Sequence, residues 1–463
     1  MRRLFSAAEV AAATGGTVVA GDPAAFFSDV QVDSRVVEAG GLFFALPGER
    51  TDGHRFVPQA LARGAGAVVR EVPDPVPPAA LLIRVADPAR ALLDLAAFHR
   101  RRFAVRVVGV TGSVGKTGTK EFAAAVLAVR HPTLKSEGNY NTGIGLPLTV
   151  FRLEERHRAA VLEMGMRGRG EIAALARAAR PEVGVITVIG EAHLERLGSV
   201  EAIARAKGEL LEALPRDGLA VLNADDPRSR ALAAGCPCPV VFFGLREGEV
   251  TAQDVRPRGA AGTDFILRVA GEETAARLGL PGRHQVLNAL AAAAVARRFG
   301  LTLEETARGL AAATLAPGRG RPEVLGGILL VDDTYNASPT SMEAALQALS
   351  ELDVRRRLAL LGPMRELGSY SAAGHRRVGE AVAHAGVDLL LLAGDEAAAI
   401  GEGARGAGLP ADRIVALADR EAAGDFLLER LRPGDGLLVK ASRSEGLERV
   451  AQRVRERFGG VGR

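Results

Sequence analysis

Residues 107–120 read VVGVTGSVGKTGTK: an apolar run, a glycine-rich turn ending in Gly115-Lys116-Thr117, and the opening of a helical pattern. A buried strand that breaks into such a turn and continues as a helix is a phosphate cradle. Glycines let successive backbone N–H groups face an anion, and the helix N-terminus adds its positive dipole end. Lys116 is placed to reach β- and γ-phosphates, and the Thr117 hydroxyl to hold Mg²⁺. The position five before Gly115 is Val110, so the loop is the shortened form TGxxGKT rather than the general Walker spacing. The ligand this predicts is a nucleoside triphosphate, held by Thr111, Gly112, Ser113, Val114, Gly115, Lys116 and Thr117.

Around this loop the chain has the size and balance of a multidomain α/β protein. Its 463 residues, 48% hydrophobic and 25% charged, are enough for two to four domains with good cores. The formal charge of +4 is small for this length, and aromatic residues make up 4%, so no basic-aromatic surface for nucleic acid is expected. The apolar runs are short and broken by Gly, Arg or acidic residues, which excludes an integral membrane segment. Met1-Arg2-Arg3 before LFSAAEVAAATGG resembles the basic start of a signal peptide, but Glu9 interrupts the apolar region, and the segment reads as an amphipathic helix. Cys236 and Cys238 form a CPC triplet with no second Cys or His pair nearby, so zinc is not expected and a reducing cytoplasm fits.

Three units are expected. Residues 1–85 mix short strands (GTVVA, LFFAL, AGAVV) with turns and close near VPDPVPP. Residues 86–102, with ARALLDLAAFHRRRF, form a helical linker. From 103 to 317 the β-type runs VVGV, AAVLEMG, VGVITVIG and LAVLNA alternate with alanine-rich amphipathic segments, as a parallel sheet with crossover helices requires. After APGRGRPE the alternation resumes in GILLVDDTY, RLALLGPM, DLLLLAG and GDGLLVKAS, a second doubly wound, Rossmann-like domain over 318–463.

The motifs resemble those of the Mur ligases, the ATP-dependent amide ligases of peptidoglycan synthesis. The resemblance covers almost the whole chain, from Asp33-Ser34-Arg35 to KASRSEGLERV at 440–450. It rests on TGxxGKT, Glu163, EAHLERLGS with His193, AKGE with Lys207 and NAL with Asn288. GNYNTGIGLPLT (138–149), DDTYNASPTSMEAAL (332–346) and MRELGSYSAAGH (364–375) point to the branch that joins D-alanyl-D-alanine to UDP-N-acetylmuramoyl-tripeptide. The resemblance implies a UDP-substrate-binding first domain, a P-loop-type ATP-binding central domain and a C-terminal ligase domain. It also implies a cytoplasmic enzyme, expected as a monomer, that turns ATP into ADP and phosphate through an acyl-phosphate intermediate.

Such chemistry asks the protein to position two anions and neutralise their repulsion, so cations and metal ligands matter more than a protein nucleophile. By resemblance, Lys116, His193 and Lys207 are catalytic, and two Mg²⁺ ions are held by Thr117, Glu163 and His193. Taken alone, His193 reads as a structural histidine and Glu163 as a solvated carboxylate; both are expected at strand ends, where open α/β sheets put their sites. Lys207, on a helix, would ordinarily be a surface charge. In the family the matching lysine is carbamylated, which turns a cation into an anion that supports the second metal.

Asn288 matches the family's adenine contact, and Arg321 and Asp333 match positions that reach phosphates and ribose. Arg319 competes with Arg321 for the phosphate; the second is favoured because Glu323 follows it at the family's spacing. Asn139, Asn141, Thr142, Tyr335, Asn336 and Ser338 are expected at the peptide substrates, and Ser34, Arg35, Thr51, Asp52, Gly53 and His54 at the UDP end. Four positions depart from the family pattern: Gly118 and Val188 for common Thr and Asn, Thr142 for a second Asn, and Pro363 for a common Asp. Two other readings are another amide-forming ligase of the superfamily, against which DDTYNASP argues, and a protein in which ATP turnover gates binding.

Overall fold

The structure, a computed structural model, describes residues 3–48 and 51–460. Met1-Arg2 and the pair Glu49-Arg50 of the polar GERTDGHRF turn lie outside the described residues. Contacts divide the chain into two compact units, one of 1–109, 131–183 and 212–215, the other of 110–130, 184–211 and 216–463.

In the first unit the amino-terminal segment folds as expected. The helix Ala7–Thr14 starts at a capping box: Ser6 Oγ accepts from the Glu9 N–H, and Glu9 Oε2 accepts from the Ser6 N–H at 2.7 Å. Glu9 thus interrupts the apolar run because it caps the helix. A five-stranded sheet follows, in the order Thr17–Ala20, Leu82–Arg84, Gly66–Val69, Leu42–Phe44, Val30–Gln31, parallel except for its first pair. Its core gathers Val37, Phe43, Val57, Ala67, Val69 and Leu82. ARALLDLAAFHRRRF forms the helix Pro88–Arg100, with Asp87 accepting from the N–H groups of Ala89 and Arg90 at its start. Further on in this unit, Ala159–Glu163 pairs in parallel with Thr133–Lys135.

In the second unit, strands run in the order Glu272–Leu278, Thr263–Val269, Val250–Pro257, Val240–Gly244, Leu219–Asn223, then the end of Val183–Ile186 and of Arg106–Thr111. Val250–Pro257, Val240–Gly244 and Leu219–Asn223 are parallel neighbours, as expected, and the first three strands of this order form an antiparallel extension of the sheet. EETAARL carries helix-forming Glu, Ala and Arg, which hides it from a propensity reading. Its pairing along Thr263–Val269, with Glu272 opposite Val269 and Leu278 opposite Thr263, overrides that preference. The helix Lys116–Ala128 packs on Arg283–Arg298, whose alanines from Ala291 to Ala294 are all buried and allow the close approach.

The carboxyl-terminal sheet has the order Arg321–Leu325, Ile328–Asp332, Asp435–Lys440, Arg356–Leu361, Leu389–Ala393, Ile414–Leu417. Only its first pair is antiparallel. Strand alternation sends Ala359 and Leu361 to a core with Met342, Leu346, Val378 and Ile400, and Leu358 and Leu360 to one with Leu427, Val450 and Val454. Helices therefore cover both faces, as a doubly wound sheet requires.

Candidate active site

The strand Arg106–Thr111 ends at the glycine turn, and Gly115, with φ 90, stands at the N-cap of the helix Lys116–Ala128. The turn is held by backbone and by the Thr187 and Ser113 hydroxyls. Thr187 Oγ1 donates to the Val114 carbonyl at 2.6 Å, Ser113 N–H to the Val188 carbonyl at 2.6 Å, and Ser113 Oγ to the Gly190 carbonyl at 2.9 Å. The substituted Val188 thus serves the loop through its carbonyl, for which its side chain is immaterial. Thr187 carries no sequence signal of its own beyond standing at the end of a strand.

Two ammonium groups meet at one carbonyl. Lys116 Nζ donates to Gly112 O at 2.9 Å and to Ser113 O at 3.3 Å, and Lys207 Nζ donates to the same Gly112 O at 2.9 Å. Lys207 sits on the helix Val200–Glu212 and is 2% exposed, so the ordinary reading of this position as a surface charge is wrong. Burial first, then the charge of Lys116, pushes its ammonium well below the usual lysine range.

Glycine is required in this cradle. Gly112 has φ 152, and a Cβ there would stand 1.9 Å from Thr187 Oγ1. Gly112→Ala is expected to cost about 1–3 kcal/mol of stability and to weaken nucleotide binding. Thermal melting and titration with a fluorescent ATP analogue check this; an unchanged melting temperature counts against it. Gly118, one of the departures from the family pattern, has its own reason: a Cβ would lie 2.6 Å from Asn288 Nδ2. Asn288 is buried, accepts from Thr119 Oγ1 at 3.3 Å and donates to Gln285 Oε1 at 3.2 Å. Gly118→Thr is therefore expected to displace Asn288 and raise the KM for ATP more than it lowers kcat.

Thr117, buried in the first turn of the same helix, completes the loop. His193 is not at a strand end. The strand stops at Ile186, and His193 is the left-handed N-cap (φ 66) of the short helix Leu194–Leu197, its Nδ1 2.5 Å from Glu366 Oε2. Glu163 ends its strand in the first unit, 2% exposed, accepting from Asn141 Nδ2 at 2.8 Å. Asn141 is tied to Gly165 through its carbonyl and to Asn139 through its N–H, and Thr142 caps the turn before Gly145–Val150. Among the described residues no group of three or more His, Cys, Asp or Glu side chains stands ready for a metal. The Thr117 hydroxyl and the buried Glu163 carboxylate are each oxygen donors of the kind Mg²⁺ takes.

Asp333 follows its strand directly. Lys440 Nζ donates to its Oδ2 at 2.5 Å and to the Asn336 carbonyl at 2.9 Å. Lys440 was not singled out in the sequence, although KASRSEGLERV contains it. The Arg319 guanidinium lies 3.4 Å from the centroid of the Tyr335 ring, whereas Arg321 is exposed at the start of the edge strand. Of the two arginines, the first is the one gathered with Tyr335. Glu323 is taken by Arg455, which also bridges to Asp332. Ser338 caps the helix Pro339–Ser350.

In the first unit, the buried Ser34 donates to Gln59 Oε1 at 2.8 Å, and Arg35 folds back on Asp33, holding that carboxyl down at about 2. Asp52, Gly53 and His54 form one turn. Asp52 Oδ1 accepts from the His54 N–H, His54 Nε2 accepts from the Arg70 N–H at 2.9 Å, and a Cβ on Gly53 would meet Leu46 O at 2.6 Å. The Thr51 carbonyl closes the same turn onto Gly48.

Fold and phosphate loop define a nucleotide-binding α/β enzyme of several domains. Family models for the Mur ligase family catalytic domain, the Mur ligase middle domain and the Mur ligase glutamate ligase domain match residues 27–100, 110–296 and 320–443. A curated relative from Mycobacterium bovis (strain ATCC BAA-935 / AF2122/97), "UDP-N-acetylmuramoyl-tripeptide--D-alanyl-D-alanine ligase", is 40% identical over 91% of each chain. The protein of that name from Escherichia coli (strain K12) is 38% identical over 92% of this chain and 93% of its own. Among solved structures, MurF from Acinetobacter baumannii superposes with a TM-score of 0.90 at 32% identity over 98% of this chain and 99% of its own. MurF from Thermotoga maritima, in complex with ADP, gives 0.83 at 31% identity over 93% and 97%. The chain belongs to the Mur ligase family, in its MurF branch of UDP-N-acetylmuramoyl-tripeptide--D-alanyl-D-alanine ligases.

Proposed function

We propose that the chain forms the amide bond between UDP-N-acetylmuramoyl-tripeptide and D-alanyl-D-alanine in peptidoglycan precursor synthesis, with ATP as phosphoryl donor. The observation that carries this reading is the pair of lysines on the Gly112 carbonyl of a phosphate loop, in a chain of the MurF branch. The tripeptide carboxylate attacks the γ-phosphorus of ATP and ADP leaves. The amine of D-alanyl-D-alanine then attacks the acyl phosphate, inorganic phosphate leaves, and the amine gives up a proton.

Thr111 to Thr117 would form the phosphate cradle, with Lys116, now bonded to the loop carbonyls, as its cation. Asn288 would meet adenine, and Asp333 the ribose. Arg319, stacked on Tyr335, suits the phosphate clamp better than Arg321. Thr117, Glu163 and His193 would hold two Mg²⁺ ions, which when bound offset the charge of the phosphates and the carboxylate. Lys207, buried and driven toward its neutral form, is the amine that can take up CO₂ as a carbamate. We assign 1–85 to the UDP end, with Ser34, Arg35, Thr51, Asp52, Gly53 and His54 as its candidates, 86–102 to a helical linker, 103–317 to ATP and 318–463 to ligation. The middle and glutamate ligase matches, 110–296 and 320–443, lie within the third and fourth spans, and the first match, 27–100, runs from the first span into the linker. Asn139, Asn141, Thr142, Tyr335, Asn336 and Ser338 remain the peptide-side candidates, Asn141 acting through Glu163. A cytoplasmic monomer is the form we propose; among the described residues no helix is long and apolar enough to cross a membrane.

Incubation with ATP, Mg²⁺, D-alanyl-D-alanine and each UDP-tripeptide, carrying meso-diaminopimelate or lysine, followed by mass analysis, tests the reading. The expected product is a UDP-pentapeptide with one ADP per bond. Phosphate release without a new peptide bond would overturn it in favour of a nucleotide-gated binding protein.

A further inference from the structure

MRELGSYSAAGH follows the carboxyl end of the strand Arg356–Leu361, and none of the chemistry above uses it. Its Glu366 has φ 64, a left-handed backbone that non-glycine residues rarely adopt, and His193 opposite has φ 66. These two residues meet side chain to side chain. Glu366 Oε2 lies 2.5 Å from His193 Nδ1, and the Glu366 carbonyl accepts from the Glu195 N–H at 3.0 Å. Gly368 makes room for this approach, since a Cβ there would be 3.2 Å from Glu195 Cα.

The loop before His193 is gripped by two helices, Ser371–His384 and Pro339–Ser350. Arg377, on the helix Ser371–His384, donates to Glu191 Oε1 at 2.6 Å and to both oxygens of Glu343 at 2.5 Å, and Thr340 Oγ1 donates to Glu191 Oε2 at 2.8 Å. Left-handed backbones at two non-glycine residues are strained, so a geometry that pairs them needs this surrounding network to persist.

A carboxylate on Nδ1 makes that nitrogen the N–H donor and leaves the lone pair on Nε2. We propose that Glu366 is a positioning residue that fixes the tautomer and ring direction of His193, with Arg377 and Glu191 steadying the loop. The capacity of His193 to ligate is then set by a residue of the carboxyl-terminal segment. This rests on the reading of His193 as a metal-facing histidine of the ligase.

The test is nitrogen-15 NMR of the histidine-labelled protein without metal, the His193 signals among the eight histidines being assigned by their loss in His193→Gln. Wild type is expected to show a single Nδ1–H tautomer, Glu366→Gln to retain it because the amide oxygen still accepts, and Glu366→Ala to show a tautomer mixture. Mn²⁺ affinity should fall by about 10- to 100-fold in Glu366→Ala and much less in Glu366→Gln. In ligation, kcat should fall in the same order with the KM for D-alanyl-D-alanine unmoved. An unchanged His193 tautomer in a folded Glu366→Ala overturns the proposal, as does a lowered melting temperature with metal affinity and kcat intact. Wild-type protein that shows the tautomer response but makes no UDP-pentapeptide would instead overturn the ligase reading alone.

Discussion

Lys116→Ala is expected to lower kcat/KM for ATP-dependent ligation by at least ~10²-fold while leaving the fold intact. The ammonium rests on the Gly112 and Ser113 carbonyls of the loop whose amides would hold the phosphates. Its removal deletes a charge needed as negative charge moves between oxygens in the transition state. The loop keeps its shape without it, because Thr187, the Val188 carbonyl and Ser113 carry the contacts that pin the turn. Steady-state kinetics beside a thermal melt separate the two effects. A folded variant with near-normal ligation would remove the phosphate-loop assignment.

Lys207 gives the second large effect. Among the described residues no carboxylate pairs with it, and its one hydrogen bond goes to Gly112 O. An unpaired ammonium in such surroundings is costly, and the neutral amine adds CO₂ to give a carbamate and one proton. Lys207→Ala should lose on the order of 10²-fold or more in kcat and recover part of it with acetate or formate. Lys207→Arg, which keeps only the cation, should stay inactive; an active Lys207→Arg would leave the carbamate without support.

Stability should move the other way. The folded ammonium is held below its ordinary value of 10.5, so between the folded and unfolded values the unfolded chain binds more protons, and stability rises with pH through that window. Below the folded value the full penalty is present. Lys207→Met is therefore expected to raise the melting temperature, more at pH 6 than at pH 9, while abolishing activity. A Lys207→Met protein that melts lower than wild type at pH 6 would show that the buried ammonium is compensated.

The sequence by itself determined the elements whose local pattern and tertiary use agree. VVGVTGSVGKT could only be strand, cradle and helix. The apolar runs in GILLVDDTY, RLALLGPM, DLLLLAG and GDGLLVKAS read as strands of a doubly wound sheet, and helices do cover both of its faces. It also marked Lys116, Thr117, His193, Lys207, Asn288 and Asp333 as positions of interest, through motifs rather than through any property of the side chains taken singly. Tertiary structure decided the rest. EETAARL became a strand because Thr263–Val269 offered a pairing edge, and Gly118 proved necessary only where Asn288 crosses the helix. Arg319 rather than Arg321 found the Tyr335 ring, and Asn141 turned to Glu163. Glu366 and Arg377 closed on a loop more than 170 residues earlier in the chain. Local periodicity reports which face of a segment is apolar. It carries no information about which distant carbonyl, carboxylate or ring a polar side chain will meet, because that partner exists only once the chain has brought the two segments within hydrogen-bond reach.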